Sequence, residues 1–116
     1  MSIFYLLHSN NFLKFNQEYY KTIGNLYVYP TGEIRIGDNM IGEIVVLIFM
    51  YENEYYFVSK EGYLYKLNDE IVMERLSDSQ AVKIGYKKNK DKLDVVIIMD
   101  NASAKKYEIE DGFIIN

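Results

Sequence analysis

The chain predicts an all-β fold, mainly antiparallel, and three observations carry that expectation. Aromatic residues make up 16% of its 116 positions, with twelve Tyr, six Phe and no Trp, and such side chains suit a pleated, half-buried surface. A strand, turn, strand pattern recurs over residues 4–15, 26–36, 55–67 and 95–109. The run "IVVLIFMY", residues 44–51, is apolar at every position, as a central strand covered above and below should be. Together they predict one domain over residues 1–116. We expect seven to nine strands, a hairpin meander curled into a β-sandwich or partial barrel, with at most one short helix near residues 69–80.

In the second hairpin, "PTG" at 30–32 serves as the loop, so Val28 faces Ile34, Leu26 faces Ile36 and Tyr27 faces Arg35. Alternation puts the aliphatic residues on one face and Tyr27, Tyr29, Glu33 and Arg35 on the other. That second face reads as wet. In the third hairpin "KEG" is the loop, with Gly62 in the left-handed position; Phe57 then opposes Tyr65 and Tyr56 opposes Lys66. Tyr55, Phe57, Tyr63, Tyr65 and Leu67 share a face, which we read as core. Glu52-Asn53 reads as a two-residue turn that sets Met50 beside Tyr55 and Ile48 beside Phe57.

Residues 68–80, "NDEIVMERLSDSQ", support two readings. Asn68 or Asp69 caps a short helix with Val72 and Leu76 four apart, or Ile71 and Met73 alternate as a strand; the acidic first turn favours the helix. Residues 81–86 and 93–99 read as strands joined by the solvated lysine connection "KKNKDK". A last hairpin is expected around Glu110-Asp111-Gly112.

The absence of cysteine excludes disulfides and thiolate metal sites. The start has no basic residue before its apolar run, and no apolar run approaches bilayer length, so the expectation is a cytoplasmic protein that does not enter a membrane. His8, the single histidine, shares a face with Leu6, Leu13 and Phe15 in the first hairpin, where a partly buried strand histidine explains it better than a catalytic base. The seventeen carboxylates show no calcium-loop or paired-acid spacing, and neither a phosphate-cradling loop nor a nucleotide fingerprint occurs. No enzyme activity, cofactor or metal is expected.

Net charge is −4, but residues 83–92 hold five Lys against one Asp, leaving eight basic against sixteen acidic residues elsewhere. Lys87, Lys88 and Lys90, next to Tyr86, could grip phosphates, yet the acidic remainder makes nucleic acid an unfavoured partner. Tyr27, Tyr29 and Arg35 are of the types enriched where proteins bury contacts, so this face, with Glu33, is the first candidate site. Tyr56 beside Lys66 is the second.

The stretch "YFVSKEGYLYKLND" resembles the inner hairpin of a β-propeller blade, and that likeness implies blades assembled from several copies and a carbohydrate-type ligand. In its short, acidic, cysteine-free character the chain is also similar to immunity proteins and phage-encoded inhibitors. That similarity implies a non-enzymatic protein-binding domain that occludes a basic partner enzyme, using carboxylates for attraction and tyrosines for contact.

Overall fold

The computed structural model describes residues 14–15, 20–109 and 111–115. The first expected hairpin, His8 included, lies outside them except for Lys14 and Phe15. Thirteen short strands follow one another: β1 (Lys14–Phe15), β2 (Lys21–Ile23), β3 (Leu26–Val28), β4 (Ile34–Ile36), β5 (Asn39–Ile41), β6 (Val45–Tyr51) and β7 (Glu54–Ser59). The second half holds β8 (Leu64–Leu67), β9 (Met73–Arg75), β10 (Ala81–Asn89), β11 (Lys92–Met99), β12 (Ala104–Ile109) and β13 (Asp111–Ile115). The described residues contain no helix. The strand number exceeds the expected seven to nine, and β2 and β5, of three residues each, are among the additional strands.

Local turn chemistry sets most of the pairing. Four loops share one closure, in which the residue before the loop exchanges backbone bonds of 2.9 to 3.0 Å with the third loop residue and the one after it. They are Tyr29 with Gly32 and Glu33, Ser59 with Gly62 and Tyr63, Asn68 with Ile71 and Val72, and Met99 with Ala102 and Ser103. The third loop residue has positive φ each time: 92° at Gly32, 97° at Gly62, 62° at Ile71 and 69° at Ala102. Glu52 and Asn53, at φ of 50° and 64°, form the two-residue turn whose twist suits a hairpin. The resulting registers are those the sequence predicts: Val28 with Ile34, Tyr27 with Arg35, Phe57 with Tyr65, Tyr56 with Lys66 and Met50 with Tyr55.

Three sheets result, ordered β1-β13-β6-β7-β8-β9, β2-β3-β4-β5 and β10-β11-β12. All pairings are antiparallel except β1 with β13. The six-stranded sheet is central. Ile48, Phe57 and Tyr65 on one face pack with Ile23, Leu26, Val28 and Ile34 of the four-stranded sheet. Leu47, Phe49, Val58 and Leu64 on the other pack with Ile84, Val95, Ile97 and Met99 of the three-stranded sheet. The doubly apolar β6 is thus covered on both sides, and the predicted core face of Tyr55, Phe57, Tyr63, Tyr65 and Leu67 belongs to a single cluster. The sheets cover one another within one chain, unlike propeller blades awaiting further copies, and none closes into a barrel.

Three expectations are corrected. Residues 68–80 are a hairpin and a strand: the Asn68 Oδ1 accepts from the backbone N–H groups of Glu70 and Val72, which bends the chain back, and β9 pairs with β8 while Met73 packs on the core. In place of the expected last hairpin around 110–112, of which Glu110 lies outside the described residues, β12 and β13 belong to different sheets, because β12 pairs with β11 and β13 with β6. The lysine connection is mostly strand, since β10 runs through Asn89 and only Lys90 and Asp91 turn, with Lys90 at φ of 61°.

Candidate functional site

The outer face of the four-stranded sheet follows from its register. Thr22 opposes Tyr27, Tyr27 opposes Arg35 and Arg35 opposes Met40, so these four form a row across the sheet. Behind them Leu26, Val28 and Ile34 are fully buried, which pins the backbone carrying the row. The Arg35 guanidinium lies over the Tyr27 ring, 4.1 Å from its centroid. Its Nε donates to the Tyr29 hydroxyl at 2.9 Å and its terminal nitrogen donates to the Gly37 carbonyl. The bond to Tyr29 raises the guanidinium pKa above its ordinary value.

Tyr20 stands edge-on to both rings, with centroids 5.1 Å from Tyr27 and 6.1 Å from Tyr29, and it is 49% exposed. Tyr29, Pro30, Thr31, Glu33 and Met40 line a shallow depression beside it. Glu33 is exposed there and its carboxylate accepts from the Thr31 hydroxyl at 3.0 Å. The structure therefore brings together all four residues of the first candidate site. Sequence reasoning missed Tyr20 and Met40. The signal for Tyr20 was present in Ile23-Gly24-Asn25-Leu26, a Gly-Asn turn between apolar residues that pairs β2 with β3.

The second candidate is placed differently. Tyr56 is half-buried between the central and three-stranded sheets, stacked on Phe49 at 5.4 Å and packed against Tyr107 and Tyr51 at 5.3 and 5.9 Å. Burial raises the phenol pKa of both Tyr56 and Tyr107. Lys66, its cross-strand neighbour, is held by Glu54 at 2.9 Å. Both residues are thus engaged within the six-stranded sheet, on its interior strands β7 and β8.

Lys87, Lys88 and Lys90 are exposed but do not form one patch. Lys87 and Lys88 are adjacent on β10, so the pleat sends them to opposite faces, and Lys90 sits in the turn. Lys87 also opposes Asp94, which pairs with Lys106 at 3.7 Å.

Among the described residues no cluster of acidic or histidine side chains could hold a metal, and no helix is long and apolar enough to cross a membrane. No family model matches the chain, and neither curated proteins nor solved structures give a match. What the outer face offers is aromatic and guanidinium contact area on a rigid support.

Proposed function

We propose that this chain is a non-enzymatic binding domain that grips another protein through the outer face of β2–β5. The observation that carries the reading is Arg35 held between the Tyr27 ring and the Tyr29 hydroxyl beside half-exposed Tyr20. Tyrosine and arginine dominate the binding energy of protein interfaces. Here their side chains are ordered before any partner arrives, which lowers the entropy cost of association. The net charge of −4 favours a basic partner, and Glu33 at the rim adds local attraction. An inhibitor or immunity role follows, in which the domain covers a basic enzyme's working surface, inside the cytoplasm.

The test is affinity capture from the native host with identification of the bound protein, followed by the triple variant Tyr27→Ala, Tyr29→Ala, Arg35→Ala. Its affinity should fall by at least about a hundredfold, the combined loss of several interface hot spots, while its melting temperature stays near that of the parent. Undiminished capture by a folded triple variant would remove this face as the binding surface.

A further inference from the structure

The depression beside the tyrosine face does not end at Met40. That side chain, 54% exposed, also lines a second hollow formed with Ile41, Tyr65, Ile71, Val72 and Met73. The hollow lies between β5 and β9, the edge strands of their two sheets. Ile71 is 43% exposed and Val72 54% exposed.

Ile71 is the informative residue. It has a φ of 62° in a loop position that Gly32 and Gly62 take in sister hairpins. A β-branched residue is poorly suited to that region, because its Cβ crowds the neighbouring backbone carbonyl. Its side chain, exposed as it is, offsets little of that strain by burial. Strain of this sort clusters at ligand clamps and switch regions. The surroundings indicate the kind of ligand. Glu43 lines the hollow, and Asp69 and Glu70 are exposed in the loop that carries Ile71. Arg75 of β9 is held against Tyr63 and Tyr65, its guanidinium 3.8 Å over the Tyr63 ring and donating to the Tyr65 hydroxyl at 3.4 Å, so the three carboxylates outnumber it.

We infer that this strip, from Met40 to Val72, receives an extended basic segment of a partner protein whose apolar side chains stand between lysines or arginines. The apolar groups enter the hollow against Ile71, Val72 and Met40. The long cationic side chains reach Glu43, Asp69 and Glu70, and this acidic rim disfavours acidic segments of the same apolarity. The inference rests on the reading of the chain as a protein-binding domain and names the chemistry of what it binds.

The probe is a synthetic peptide with a Leu-Val-Leu centre flanked by lysines, set against the same centre flanked by glutamates. Methyl NMR of the full chain should show the lysine peptide shifting Met40, Ile71 and Val72, and the glutamate peptide leaving them unmoved. Val72→Ser should weaken the lysine peptide by about tenfold or more. Ile71→Gly should weaken it too while raising the melting temperature, so that the loss cannot be unfolding. Equal binding of the two peptides, shifts confined to other surfaces, or self-association abolished by Val72→Ser would each overturn the assignment. Because the probe reads the strip directly, it can fail while the Tyr27, Tyr29 and Arg35 variant still loses its cellular partner, and the two readings are thereby separated.

Discussion

Ile71 occupies in the β8–β9 hairpin the loop position that Gly62 occupies in the β7–β8 hairpin, each N–H donating to the residue that opens its loop. The two side chains have opposite consequences. Ile71→Gly relieves left-handed strain and should stabilise the fold by about 1 kcal/mol after the entropy cost of glycine. Gly62→Ala should destabilise by about 2 kcal/mol, since the φ of 97° disfavours any side chain and the new Cβ meets the Ala81 carbonyl at 3.0 Å. Urea denaturation of the two variants gives opposite shifts of the midpoint.

Tyr55 ties the central sheet to the four-stranded one. Its hydroxyl, at the end of a side chain from β7, accepts from the Asn25 N–H at 2.7 Å in the β2–β3 turn. Tyr55→Phe keeps the ring and removes the bond, so it should cost about 1 kcal/mol. Amide hydrogen exchange at Asn25 should quicken with it.

Phe49 and Phe57 are both fully buried, on opposite faces of the central sheet. Truncation of either to alanine should cost about 4 kcal/mol, the usual loss for a buried ring. Chemical denaturation of Phe49→Ala tests the contact with the three-stranded sheet, and that of Phe57→Ala the contact with the four-stranded one. A small loss at either site would mean that its covering sheet contributes little.

Tyr56 and Tyr107 predict alkaline sensitivity. Burial is the main cause that raises both phenol pKa values, with neighbouring tyrosines adding to it at Tyr107 and Glu54 at Tyr56. The folded state therefore keeps protons that the unfolded chain releases from about pH 10 upward. Their contribution is complete below that value and is lost as pH rises toward the raised folded values. The urea midpoint should fall in that window, and less steeply in the double variant Tyr56→Phe, Tyr107→Phe.

The registers of the hairpins at 26–36 and 48–67 were legible in the chain, because a turn and the alternation beside it are local properties. The same reasoning grouped Tyr27, Tyr29, Glu33 and Arg35 correctly on one side of a sheet. It failed at Ile71, where a left-handed loop position is filled without glycine and the segment passes for a helix start. It failed also for Tyr56, whose surroundings depend on β12, about fifty residues away along the chain.

By itself the sequence determined that this protein is built from β-hairpins, where most of them turn, and which side chains share a face, since neighbouring residues in a pleated strand must point oppositely. Only the tertiary structure decided which faces meet. It parted β12 from β13 into different sheets, half-buried Tyr56 and left the row from Tyr27 to Met40 without a covering sheet. The physical reason is that apolar faces of similar composition are interchangeable locally, and the choice among them is made by how well whole sheets fill one another's surface.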